Sequence, residues 1–196
     1  MAGTTGSLRI IGGRWRSRRL QVVSSAHLRP TPDRVRETLF NWLQPWIEGA
    51  ECLDLFAGSG ALGLEALSRG ARSAVLVEQD PQVITALRAS VAALNADGAE
   101  VVAADCTDYL DRCPRPFDIV FLDPPYRSGL LARCSAALDR HGWLRSGGLV
   151  YLEAPGAELP ELPESWTLLR SRRAGQVGYH LARSGLVPGG EPASTG

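Results

Sequence analysis

An aspartate, two prolines and a tyrosine close an apolar run in this chain: Phe117-Asp118-Ile119-Val120-Phe121-Leu122 leads into Asp123-Pro124-Pro125-Tyr126. The run is short, rich in β-branched and aromatic residues, and stopped by a breaker, which predicts a parallel-sheet strand buried on both faces. Pro124 and Pro125 have no N–H to give to a neighbouring strand, so the strand ends there. Open α/β sheets bind their ligands at the carboxyl ends of the strands. Asp123, Pro124, Pro125 and Tyr126 are therefore the candidate catalytic residues. A carboxylate and a proline-stiffened carbonyl can accept both N–H bonds of an aromatic amine, whose lone pair is otherwise delocalised into its ring. Tyr126 can stack on a base turned out of its helix, as base-modifying enzymes require. Chemistry there would rest on positioning and electrostatics, with no metal and no covalent intermediate. An ordinary strand-to-helix turn also favours Asp and Pro, so the surroundings must decide.

A second set of chemistry-bearing residues lies upstream. Asp54-Leu55-Phe56-Ala57-Gly58-Ser59-Gly60-Ala61-Leu62-Gly63 ends one apolar run and opens a helical one. Gly58 and Gly60 let a ligand approach the backbone closely, and the helix start offers free N–H groups. The spacing spells G-x-G-x-x-G, and Glu78 follows Gly58 by twenty residues at the end of the next strand. A carboxylate there binds ribose hydroxyls. This much suits NAD as well as another adenosine cofactor. Asp54 disfavours a pyrophosphate, because it sets an anion just before the turn. A cationic amino-acid group is better received there, and S-adenosylmethionine carries one together with a sulfonium. Asp105, at the end of the third strand, offers an acceptor to an adenine amino group, with the Cys106 backbone alongside. Phe56, Ala57, Gln79 and Asp123 complete the expected cofactor-binding set. The plainer alternatives are a helix cap for Asp105, a turn for Asp54 and core packing for Phe56.

The elements that must position these groups alternate. Strands are predicted at Cys52–Phe56, Ala74–Glu78, Glu100–Ala104, Phe117–Leu122 and Gly148–Glu153, with helices at Ala61–Arg69, Pro81–Leu94, Thr107–Asp111 and Leu130–His141. That order predicts an α/β fold with a doubly wound, mostly parallel, Rossmann-like sheet. Trp166–Ser171 and Val177–Arg183 lack an intervening helix and should add an antiparallel C-terminal hairpin. Ahead of the sheet, Leu8–Val23 reads as a small basic β-hairpin with its arginines and Trp15 exposed. Thr31-Pro32-Asp33 then opens a helix, with Thr31 as its cap and Val35, Leu39, Trp42, Leu43 and Trp46 toward the core. The chain divides into a basic extension over 1–48, an α/β domain over 49–184 and a disordered tail over 185–196.

Composition narrows the partners. Net charge is zero, but residues 1–36 carry eight arginines against Asp33 alone, a surplus of +7 that leaves −7 for the rest. Every basic residue in the chain is Arg. Such asymmetry predicts a nucleic-acid-binding extension on an acidic body, with Arg14, Arg16, Arg18, Arg19, Arg29, Arg34 and Arg36 as its contacts. Arg serves phosphate with a bidentate fork that Lys lacks. No apolar run is long enough to span a bilayer, and the first residues do not have the pattern of a signal peptide. Cys52, Cys106, Cys113 and Cys134 are scattered without metal-ligand spacing, so the default setting is reducing and cytoplasmic.

Taken together, D-L-F-A-G-S-G-A-L-G, Glu78, Asp105 and D-P-P-Y resemble the class I methyltransferases that alkylate exocyclic amino groups. R-I-I-G-G-R-W-R-S-R-R-L and R-P-T-P-D-R-V-R-E-T-L-F-N-W-L narrow this to the bacterial small-subunit ribosomal RNA guanine-N2 methyltransferases of the RsmD type. The resemblance runs from Leu8 to Arg183. It implies methyl transfer from S-adenosylmethionine to N2 of one guanine in 16S rRNA, within an assembled or assembling 30S subunit, by a monomer. Rival readings are a DNA amino-methyltransferase, for which the chain leaves little room for target recognition, and an NAD-linked oxidoreductase, for which no Tyr–Lys pair exists. A noncatalytic RNA-binding assembly factor is the third, disfavoured by the intact Asp123–Tyr126 stretch.

Overall fold

The computed structural model describes residues 5–23, 31–125, 128–156 and 159–185. Strands β1 (Thr5–Arg9) and β2 (Arg19–Val23) form an antiparallel hairpin, followed by helix α1 (Asp33–Leu43). Then come β3 (Glu51–Asp54), α2 (Ala61–Ser68), β4 (Ser73–Glu78), α3 (Pro81–Leu94), β5 (Ala99–Ala103), α4 (Cys106–Leu110), β6 (Phe117–Leu122), α5 (Leu130–Arg140) and β7 (Leu144–Pro155). Strands β8 (Trp166–Ala174) and β9 (Val177–Ser184) close the described chain. The seven-stranded sheet has the order β5-β4-β3-β6-β7-β9-β8, with the first five strands parallel and β9 antiparallel to both β7 and β8. The predicted α/β fold is the one observed, with the C-terminal pair paired as a hairpin at the sheet edge.

Successive strand residues face opposite sides, so one apolar run feeds two cores. Ile119 and Phe121 of β6 join α1, α2, α3 and the N-terminal hairpin on one face. Val120 and Leu122 join α4 and α5 on the other. The strands β3 and β6 are neighbours although the chain leaves β3 toward β4, so the direction of winding reverses between them. A crevice opens at the carboxyl ends of strands at such a reversal.

The N-terminal segment is part of the core and not a free arm. Leu8, Ile10, Trp15 and Leu20 are buried in the core that includes residues of α1, α2 and α3, so Trp15, expected at the surface, is inside. The backbone N–H groups of Ile11 and Gly12 each donate at 2.8 Å to the two oxygens of Glu65, a carboxylate with no exposed surface. Arg69 adds a 2.7 Å ion pair to Glu65, and Arg36 stands 3.7 Å away. Arg36 also donates to Asp33 at 2.6 Å and to the Arg9 carbonyl at 2.9 Å. It is fully buried, so it cannot reach a phosphate, and the expected RNA-binding role for Arg36 is corrected to a structural one. Trp42 is half-buried and stacks on Tyr179, whereas Trp46 lies past the helix and is 41% exposed, outside the core it was expected to join.

Candidate active site

The four predicted carboxylates stand at the carboxyl ends of adjacent strands: Asp105 after β5, Glu78 on β4, Asp54 on β3 and Asp123 after β6. The turn after β3 is built by glycine. Gly60 sits at φ +79°, a conformation costly for residues with a Cβ, and its N–H donates to the Ala57 carbonyl at 2.7 Å. Gly63 serves a different need, since a Cβ there would collide with the Leu76 side chain of β4. The third glycine therefore lets α2 lie close on the sheet. Glu78 ties the turn down, accepting from the Gly58 N–H at 2.9 Å and, through its other oxygen, from Gln79 and Asp80.

Asp54 differs from expectation. Its carboxyl is buried and accepts from the Gly63 N–H at 3.0 Å and from the Phe56 backbone. It braces the glycine turn and α2 from beneath and offers no open oxygen to a cationic ligand, so direct contact with an ammonium is corrected. Burial pushes its pKa up to about 7, against the pull of the two backbone donors. The folded state therefore favours the protonated form. Its contribution is fully present below the ordinary carboxylate range and is lost as pH rises toward about 7, on the order of 4 kcal/mol in all. Asp54→Asn should accordingly gain stability relative to the parent between pH 4 and 7, read as the difference in urea midpoint. A difference that stays flat across that window would sink the assignment.

The remaining cofactor-side residues fall as follows. Asp105 caps α4, with Oδ1 accepting from the Thr107 N–H at 2.7 Å and its hydroxyl at 2.6 Å. The Thr107 hydroxyl and backbone hold its carboxyl below the usual range, so it is an anion at neutral pH. Cys106 is buried with its sulfur 4.0 Å from that of Cys134, leaving only its backbone for the crevice. Phe56 is half-buried against the second core, Ala57 is buried, and Gln79 is exposed. Among the described residues, no three His, Cys, Asp or Glu side chains are grouped to hold a metal.

Asp123 is the centre of a group that the sequence did not disclose. The Thr31 hydroxyl lies 3.2 Å from Asp123 Oδ2 and 3.0 Å from Glu153 Oε1, and the Tyr151 hydroxyl donates to Glu153 Oε1 at 2.8 Å. Thr31 is thus no helix cap: Pro32 holds that position, without a side-chain hydrogen bond. Register explains the meeting, because Leu122 pairs with Leu152 and the next residue on each strand is an acid. Burial raises the Asp123 carboxyl well above its ordinary value, and the Glu153 charge raises it further while Thr31 opposes. Glu153 is raised by burial, and Tyr151 is raised by burial and by Glu153, so it keeps its proton. Pro124 is buried and Pro125 exposed; Tyr126 lies outside the described residues.

The arginines divide between two ends of the molecule. Arg14 and Trp15 sit on the last turn of α2, at the amino end of the sheet, with the Trp15 N–H on the Ser68 hydroxyl at 3.0 Å and the Arg14 guanidinium over the Trp15 ring. Arg18 donates to the Ala93 carbonyl near the end of α3. Arg16 and Arg19 are exposed on the same hairpin, and Arg34 is exposed on the first turn of α1, close in sequence to Thr31. Arg29 lies outside the described residues. Sequence reasoning overlooked Arg170, Arg172 and Arg173, exposed on β8. Arg172 pairs with Tyr179, which pairs with Glu153, so it stands on the same rung as the acids at the carboxyl end.

The glycine turn, the carboxylates and the N-terminal block together can be set beside known proteins. A family model described as Conserved hypothetical protein 95 matches residues 8–183. The chain belongs to that family. Ribosomal RNA small subunit methyltransferase D of Escherichia coli is 51% identical over 178 residues, covering 90% of each protein. The protein of the same name in Haemophilus influenzae is 44% identical over 180 residues, covering 90% of this chain and 93% of that one. The solved structure of yhhF from Escherichia coli superposes with a TM-score of 0.86 at 49% identity, covering 92% of this chain and 99% of that one.

Proposed function

We propose that this protein transfers a methyl group from S-adenosylmethionine to the exocyclic N2 of one guanine in 16S rRNA. It does so as a cytoplasmic monomer acting on the assembled or assembling 30S subunit. The observation that carries this reading is 51% identity, along nine-tenths of both chains, to a ribosomal RNA small subunit methyltransferase. The site geometry agrees with it. Glu78 and Asp105 end neighbouring strands, which suits ribose hydroxyls and an adenine amine one strand apart, and the Asp105 anion is an acceptor for the latter. The Cys106 backbone and the turn from Ala57 to Gly60 provide close approach. When bound, S-adenosylmethionine supplies an electrophilic methyl on a sulfonium. Asp123 and the Pro124 carbonyl accept the N–H bonds of the guanine amine, with Pro125 stiffening the backbone and Tyr126 stacking on the base. The rate gain comes from orientation and fixed charge.

Labelled methyl transfer onto small subunits lacking modification, compared with naked rRNA and DNA, tests this reading when the modified base is mapped. Label on DNA, or none on any RNA, would overturn it. For RNA binding, Arg14, Arg16, Arg18, Arg19 and Arg34 hold phosphates on the α1 side, and Arg170, Arg172 and Arg173 hold them beyond the acids. Truncating the hairpin would strip buried core residues, so point changes are the proper test. Replacing the three β8 arginines by alanine should weaken RNA binding by about tenfold at moderate salt. It should also lower the slope of log affinity against log salt by roughly 0.7–0.9 per lost phosphate contact. An unchanged slope in filter binding would remove β8 from the surface.

A further inference from the structure

One hydroxyl stands between two acids. Thr31 carries a single hydrogen, yet its oxygen lies within hydrogen-bond distance of both Asp123 Oδ2 and Glu153 Oε1. With both acids ionised, one of these contacts would have no hydrogen in it, and two anions would face each other across a mostly buried gap. The count closes when the pair holds one proton. The Tyr151 hydroxyl already donates to Glu153 Oε1, so in the resting arrangement Glu153 is the anion and Asp123 donates to Thr31. The opposite arrangement is reached by moving two protons a short distance: Asp123 gives its own to the Thr31 oxygen as Thr31 passes its hydrogen to Glu153.

We propose that Thr31 and Glu153 are positioning residues for Asp123, forming with it a proton-sharing unit that presents Asp123 to the amine as a carboxylate and takes up the proton the amine releases. This rests on the methyl-transfer reading above. As the nitrogen lone pair forms the N–C bond, the C–S bond of the donor breaks and its electron pair stays on sulfur. The nitrogen then bears one proton too many. That proton passes to Asp123, so the unit goes from one proton to two and gives one to water when product leaves. The groups facing Asp123 are Glu153 and, behind it, Tyr151 from β7, Asp54 from β3, and Thr31 ahead of α1. Asp54 is spoken for by the Gly63 N–H, which leaves Glu153 as the partner that can take a proton from Thr31. The unit also places the beginning of the basic α1 segment in direct contact with the acid that meets the substrate.

The test is steady-state and pH-dependent methyl transfer to small subunits by the full chain. Thr31→Val, which keeps shape and removes the hydroxyl, should lower kcat by about 10- to 100-fold with donor affinity within about threefold. Thr31→Ser should restore it to within about threefold. The acid limb of the kcat profile should move in opposite directions: upward in Thr31→Val, which loses a donor to the Asp123 anion, and downward in Glu153→Gln, which loses a neighbouring negative charge. A wild type that labels no small subunit overturns the methyl-transfer reading itself. A wild type that labels them while Thr31→Val keeps its kcat within threefold, or while both limbs stay put, overturns this inference alone. Should Thr31→Val fail to bind donor at all, the acid limb of Glu153→Gln decides by itself.

Discussion

Asp123→Ala is expected to lower methyl transfer by at least about 1,000-fold while leaving donor affinity within a few-fold. The size follows from what one side chain does here. On the proposed reading its carboxylate holds an N–H of a poor nucleophile and receives the proton that must leave, effects worth roughly 100-fold or more each. On the same reading most of the donor's contacts lie on Glu78, Asp105 and the glycine turn, so its binding should survive within that margin. Fold stability should survive as well. The alanine removes an acid whose proton affinity is raised by burial and by the Glu153 charge, and it leaves Thr31 still bonded to Glu153. Thermal midpoint should hold or rise, which separates lost chemistry from lost structure. Single-turnover transfer of labelled methyl, read beside calorimetric donor binding, checks both halves. Near-full activity in this variant would remove Asp123 from the site.

The second large effect is on stability. Glu65→Leu should cost about 5 kcal/mol, a large share of the ~5–15 kcal/mol that holds a domain together. Glu65 has no exposed surface, yet it receives two backbone N–H groups from Ile11 and Gly12 and the Arg69 guanidinium, with Arg36 at 3.7 Å. Removing it leaves a fully buried Arg36 supported by Asp33 and a carbonyl alone, and takes the acceptor from two part-buried backbone donors. Glu65→Gln keeps the shape and part of the hydrogen bonding, so it should fall between. For a chain of this size the leucine variant should melt about 10–20 °C lower. Urea unfolding gives the free energy, and a loss under about 1 kcal/mol would mean that the hairpin is not anchored through this residue.

How much of this was legible in advance depends on the range of the interactions. The strand Phe117–Leu122, the Pro81–Leu94 helix with its Asp80 cap and the glycine turn are written in local spacing, and the structure returns them. The expected strand Gly148–Glu153 falls short of β7 at both ends, chiefly at its start, where Leu144–Gly147 are exposed or half-buried and run into Gly147-Gly148, a pattern that reads as loop. Thr31 reads as a helix cap since Thr-Pro-Asp is capping chemistry, and only the register of β6 against β7 reveals two acids awaiting its hydroxyl. Arg36 reads as part of a basic run. Its partner Glu65 lies in another helix, in a stretch whose sequence shows an isolated acid among apolar residues. Such an acid, Glu65 or Glu153, is the trace that a buried polar contact leaves in a sequence, but it does not name the partner.

The N-terminal hairpin turns its tip at the foot of the sheet, against the end of α2, while Asp123 crowns the opposite rim. Six residues of β4 separate the two levels, about 20 Å of extended chain. An RNA gripped by Arg14 while its guanine sits at Asp123 has to bridge that distance. On the proposed reading the protein would then act as a ruler: a short stem-loop that fills the rim would leave the hairpin tip untouched, and only a folded RNA surface with phosphates at the correct offset would engage both marks at once.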